Sequence, residues 1–216
     1  MSFKKIISAV LLSAFVTATF AGCSNSDTQT ADEATVKISS SSTSSNADDS
    51  STDDEMFKAR DKEIGYDESE CETITLSDNA STSSLKSVKI DGNTITVSEE
   101  GTYIVSGTLS DGQIIIDGDK NEKIRFILDG VTINSNTGAP IYVKQTDKLF
   151  ITLAENSKNV LTNNKQFTAD GDNNVDAVIF SKDDITLNGN GSLEITTNCG
   201  HGIVSKDDLK ITSGTY

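Results

Sequence analysis

The sequence predicts an all-β solenoid with coils of about 24 residues. The phrase Ser181-Lys182-Asp183-Asp184-Ile185-Thr186-Leu187 returns as Ser205-Lys206-Asp207-Asp208-Leu209-Lys210-Ile211, 24 residues later (205 − 181). Short β-branched runs alternate with Asp-Gly, Ser-Gly and Asn turns, and the whole chain holds one proline. Matching strands keep a related spacing: Ile124 to Leu149 is 25 residues, Leu149 to Ile185 is 36, and Ile185 to Leu209 is 24. Many short strands also suit a sandwich or barrel. The fixed period decides for a solenoid, in which each repeat is one coil and equivalent side chains stack one strand spacing apart.

The amino terminus reads as a targeting segment. Lys4-Lys5 precede an apolar stretch from Ile6 to Phe20, too short to span a bilayer, which has the basic flank of a secretory signal. Ala21-Gly22-Cys23 resembles the lipobox of bacterial lipoproteins, with Phe20 where Leu is usual. The resemblance implies a signal peptide over 1–22, lipidation of Cys23, and an extracellular protein held to the cell membrane by lipid alone. Residues 23–66 are rich in Ser, Thr, Asp and Ala. Such a composition buries too little to offset chain entropy, so a disordered tether is expected there.

The folded domain is expected over 67–216. Val88-Lys89-Ile90, the turn Asp91-Gly92-Asn93 and Thr94 to Val97 open the series, and strands at Tyr103–Val105, Gln113–Ile116, Ile124–Leu128 and Val131–Ile133 follow. The 36-residue interval equals one coil plus 12, and Asn163 to Asn174 is a polar stretch of that length, read as a loop inserted between coils. Alternation sends Ile185, Leu187, Leu193 and Ile195 inward, and Thr186 and Glu194 towards water. The chain stops in mid-coil at Tyr216 without a capping segment. Terminal repeats normally carry one, so a fragment lacking its carboxy-terminal coils is expected.

Formal charge is −15. Removing the signal takes away two lysines and no acids, leaving 16 basic against 33 acidic residues. Phosphate binding needs a basic surface, so nucleic acid is excluded as a partner. The acidity suits a cation-binding surface protein and plain solubility equally. Nothing in the sequence asks for an oligomer, and a monomer is expected. Cys71 and Cys199 make no disulfide framework; whether they pair is open, with free thiols favoured.

Several phrases together resemble one family. They are Thr102 to Gln113, Leu128-Asp129-Gly130-Val131-Thr132-Ile133, the two Ser-Lys-Asp-Asp repeats and Gly189-Asn190-Gly191-Ser192-Leu193. This stretch, from about Thr73 to Tyr216, is similar to the bacterial exported proteins called carbohydrate-binding domain-containing. The resemblance implies a right-handed parallel β-helix related to pectate lyases, binding calcium and plant cell-wall polysaccharide such as polygalacturonate.

Two columns of side chains carry the expected chemistry. Aligning Ile141-Tyr142-Val143-Lys144, Ile179-Phe180-Ser181-Lys182 and Ile203-Val204-Ser205-Lys206 puts Tyr142, Phe180 and Val204 in one outward column. Lys144, Lys182 and Lys206 follow in a second. Ring faces that pack on sugars beside ammonium groups that meet carboxylates suit an acidic polysaccharide. The same residues also populate strands for packing alone. Asp183 over Asp207 and Asp184 over Asp208 place carboxylates where calcium can convert repulsion into coordination. Aspartate in turns also caps its own backbone. Asp170, Asp172 and Asp176 in the inserted loop alternate as oxygen donors, but Val175 and the missing Glu rule out an EF-hand; a calcium loop and a solvated loop both remain.

Catalysis is weakly supported. Arg125 is the lone arginine of the 67–216 region and His201 the lone histidine of the chain, so no nucleophile–base–acid set assembles. The expectation is a non-catalytic cell-surface carbohydrate-binding protein. The alternatives are a calcium-dependent pectate lyase-like enzyme and a structural adhesin solenoid.

Overall fold

Along each short run Ile, Val and Leu alternate with polar residues, so each strand buries one side and offers the other. The computed structural model describes residues 56–216, and those residues are all-β apart from one four-residue helix and a 3-10 turn. Sheet one contains β1 (Glu72–Leu76), β2 (Thr82–Ser83), β5 (Gly101–Leu109), β7 (Lys123–Ser135), β9 (Lys148–Leu153), β12 (Asp184–Gly189) and β15 (Leu209–Ile211). Sheet two contains β3 (Lys89–Asp91), β4 (Thr94–Val97), β6 (Gln113–Asp117), β8 (Ile141–Gln145), β11 (Ala177–Ser181) and β14 (His201–Ser205). β10 (Lys158–Asn163) pairs with the second half of β7 and with β13 (Ser192–Thr197), extending sheet one. The chain passes back and forth between the sheets, and each return lays a strand parallel to its predecessor. Antiparallel pairing occurs in β1–β2 and in the β3–β4 hairpin, where Gly92 adopts φ 57°.

The register follows the sequence spacing. Ile124, Leu149, Ile185 and Leu209 are successive partners, which absorbs the 25-, 36- and 24-residue intervals. Ile141, Ile179 and Ile203 form the corresponding column of sheet two. Inward columns meet in one core that includes Ile124, Phe126, Leu149, Ile151, Ile179, Ile185 and Leu187. Each such side chain contributes about 1.5–3 kcal/mol of burial. Leu209 and Ile211, in β15 at the end of the stack, are 42% and 46% exposed.

Two glycines let neighbouring turns of chain close up. Gly107 has φ 96° and Gly189 φ 120°, and a Cβ there would lie 2.3 Å from Leu76 O and 2.2 Å from Leu153 O respectively. Only a residue without a side chain fits either corner.

The proposed signal (1–22), Cys23 and the tether up to residue 55 lie outside the described residues. The end of the tether needs correction. Residues 57–66, assigned to it by composition, carry the helix α1 (Ala59–Lys62) and bury Asp61 to 1% exposure. Hydrogen bonds and an ion pair to the body supply what the apolar-poor composition lacks. Thr186 is also corrected: it is fully buried because this segment covers it, whereas Glu194 is exposed as expected.

Candidate functional site

The outward column of sheet two is in the expected register. Tyr142 pairs with Phe180 and Phe180 with Val204, while Ile115 extends the column on the other side of Tyr142. Lys182 N–H donates to Val143 O at 3.1 Å and Lys206 N–H to Ser181 O at 2.9 Å. These bonds carry the parallel ladder on to Lys144, Lys182 and Lys206, which therefore form the second column.

The aromatic column is not an open platform. Tyr142 and Phe180 are 4% and 1% exposed, in edge-to-face contact with centroids 5.8 Å apart. They form a small cluster with Ala139, Val175 and Ala177, against which Val204 packs. The inserted loop, residues 164–176, supplies Val175 and also Asp170, whose Oδ2 accepts from Tyr142 Oη at 3.0 Å. Thr168 N–H donates to Thr137 O, tying the loop down further. The sugar-stacking roles expected of Tyr142 and Phe180 thus yield to a packing role.

Lys144 Nζ lies 3.2 Å from Asp170 Oδ2. Hydrogen bonding from Lys144, with a second bond from Tyr142, holds the Asp170 carboxyl below the usual range. Burial first, and Asp170 second, push the Tyr142 phenol far above its ordinary value, so it acts as a fixed donor. Lys144 and Lys206 also sit 5.6 and 5.4 Å from the Tyr142 and Phe180 ring centroids. Lys182 and Lys206 are exposed. Beside this column opens a cleft of about 460 Å³, lined by Gln113, Ile115, Thr137, Tyr142, Lys144 and Asp170 among others. The edge of a buried tyrosine, amide and hydroxyl groups and a carboxylate–ammonium pair together suit a polar ring compound.

The aspartate columns hold their partners in the backbone. Asp183 Oδ2 accepts from Thr146 N–H at 3.0 Å and Asp184 Oδ1 from Asp208 N–H at 3.1 Å. Asp208 Oδ2 lies 3.6 Å from Lys210 Nζ, and Asp207 is exposed. In the loop, Asp176 Oδ2 accepts from Asn174, Asp172 is exposed, and Asp170 is committed to Tyr142 and Lys144. Among the described residues no three His, Cys, Asp or Glu side chains converge as a group able to hold a metal ion. The carboxylates present therefore do not make a calcium shell by themselves.

Residues 91–216 match the family model for carbohydrate-binding domain-containing proteins. The chain belongs to that family. A carbohydrate-binding domain-containing protein of Acetivibrio thermocellus is 38% identical over 139 residues, covering 63% of this chain and 49% of the relative. The chain thus spans about half the length of that relative. Among solved structures, the polysaccharide lyase-like protein from C. thermocellum, as a gadolinium derivative, is 36% identical with a TM-score of 0.62. That similarity covers 66% of this chain and 59% of the other.

Other expected residues of this family member fall elsewhere. Arg125 is 9% exposed and donates to Thr152 Oγ1, Gly65 O and Glu63 O at 2.9–3.0 Å. His201 is exposed on β14. Cys71 and Cys199 are free thiols, donating to Asp67 O and Lys165 O. Sequence reasoning missed the polar outer face of sheet one. The signal was present in Lys148, Thr186, Asn188 and Lys210, at outward positions of neighbouring strands, and in Thr212 just past β15.

Proposed function

We propose that this chain is a non-catalytic carbohydrate-binding protein of the cell surface that recognises an acidic polysaccharide such as polygalacturonate. The lysine column carries this reading: Lys144 in β8, and Lys182 and Lys206 just past the ends of β11 and β14, recur in register beside a cleft that Lys144 lines, in a family of carbohydrate-binding domains. An exposed ammonium–carboxylate pair contributes only about 0.2–1 kcal/mol. Binding strength then comes from several pairs made in register along one polymer.

The architecture we infer is a right-handed parallel β-helix, supported by the parallel ladders of both sheets and the near-24-residue return. Calcium enters as an ion shared with the ligand. Each pair, Asp183 with Asp207 and Asp184 with Asp208, offers too few oxygens for a shell of six to eight, and uronate carboxylates supply the remainder. Cys23 provides the lipid anchor and 23–55 the tether.

One observation favours a second reading: the solved neighbour is described as polysaccharide lyase-like. The test is binding to polygalacturonate with calcium and then with EDTA, followed by ultraviolet absorbance for an unsaturated product. Calcium-dependent binding without product is expected. Product formation moves the protein to the lyases, and no binding in either condition removes the acidic-polysaccharide reading.

A further inference from the structure

The outer face of sheet one is a face of donors. Segment 57–66 lies across it and supplies acceptors. Lys148 Nζ meets Asp61 Oδ1 at 2.7 Å, Thr186 Oγ1 donates to the same oxygen at 2.9 Å, and Lys210 Nζ lies 3.8 Å from Oδ2. Asp61 O accepts from Asn188 Nδ2 and Thr212 Oγ1, both at 3.0 Å. Glu63 O accepts from Asn188 and Arg125, and Gly65 O from Arg125. The oxygens of residues 61, 63 and 65 thus step from the β12–β15 side of the sheet to β7, across the strands and along the stack. The segment's backbone N–H groups of Asp61 and Glu63 donate within the segment itself, to Lys58 O and Arg60 O.

This is how a polymer would be read, by side chains repeating at the strand spacing. An outward aromatic completes the likeness. Phe150 lies between two cations, with Arg60 from the segment 5.1 Å and Lys148 5.3 Å from its ring centroid. Arg125, Lys148 and Lys210 bring positive charge to this face in a chain of net charge −15, beside Asp184 in register with Lys148 and Asp208 at 3.6 Å from Lys210 Nζ. Clefts of about 370 and 170 Å³ flank the segment, one lined by Phe57, Lys62 and Thr212, the other by Arg60, Arg125 and Phe150.

We propose that this face is a second acidic-glycan site, filled here by the chain's own segment 57–66 with Asp61 in the place of a uronate carboxylate. Polyuronate and segment compete for Lys148, Lys210, Thr186, Asn188 and Arg125. The proposal takes its ligand class from the acidic-polysaccharide reading and adds a different location and a competitor. Apparent affinity falls by the fraction of molecules whose face is open.

The test uses the full chain and polygalacturonate as probe. Asp61→Ala is expected to bind about a hundredfold more tightly, corresponding to a face open about one time in a hundred, and Asp61→Ala with Lys148→Ala to lose that gain. In the unaltered protein, polygalacturonate is expected to accelerate hydrogen exchange of residues 57–66. This readout needs no variant to fold. Binding that Lys182→Ala/Lys206→Ala weakens while 57–66 stays protected overturns this proposal and leaves the sheet-two site standing. Binding by Asp61→Ala but not by the unaltered protein supports it and removes the sheet-two site. An affinity of folded Asp61→Ala equal to or below that of the unaltered protein makes Asp61 a structural clasp and overturns it, and binding by no variant overturns both readings.

Discussion

Lys148→Met leaves Asp61 a buried carboxylate without its nearest cation. The pair is 2.7 Å apart, with side chains 2% and 9% exposed. Removing one member of such a pair costs about 3 kcal/mol, chiefly because the remaining charge stays desolvated. Thr186 and the more distant Lys210 offset only part of that loss. The segment has a way out that a core strand lacks: it can lift from the face and rehydrate Asp61. Damage to the whole domain therefore stops at the docking free energy of the segment, and the melting temperature moves little once it has lifted. Amide exchange over 57–66 is the assay that sees this directly. About 3 kcal/mol corresponds to roughly a hundredfold loss of protection, confined to 57–66 and absent from β9 and β12. Unchanged protection there would refute the reasoning, since Lys148 would then contribute nothing to holding the segment.

Gly189→Ala drives a Cβ against Leu153 O at a φ of 120° and is expected to destabilise the domain by about 3 kcal/mol; thermal unfolding checks it. Tyr142→Phe removes the bond to Asp170, a loss of about 1 kcal/mol, and should speed proteolytic cleavage within 164–176. Burial opposes ionisation of Asp61, but bonds from Lys148, the Lys58 N–H and Thr186 outweigh it and hold its pKa below the usual value. The depressed pKa means that its contribution is present above the unfolded value of about 3.9 and is lost as pH falls through the folded one. Protection over 57–66, relative to the intrinsic exchange rate at each pH, should therefore fall in acid, and Asp61→Asn should flatten that dependence.

The repeat spacing made the register legible, because a parallel ladder admits one alignment of Ile124, Leu149, Ile185 and Leu209 once the 12-residue insertion is set aside. The column of Tyr142 and Phe180 was legible for the same reason. Its burial was not: outward aromatics look alike in sequence whether solvent or the 164–176 loop covers them. The segment around Asp61 was hidden more deeply. A four-residue helix has no period to detect, and the segment docks through Asp61 and carbonyl oxygens rather than an apolar stripe. The polar row of Arg125, Lys148, Thr186, Asn188 and Lys210 held the complementary information. Reading it needed the strand neighbours that only the fold supplies.

Binding of the full chain to polygalacturonate, compared with Lys182→Ala/Lys206→Ala, tests the central claim most directly. Two exposed ammonium groups removed should weaken binding by about 1 kcal/mol, close to fivefold, and less so at high salt. Equal affinity of the two proteins at low salt would contradict the claim that this lysine column reads an acidic polysaccharide.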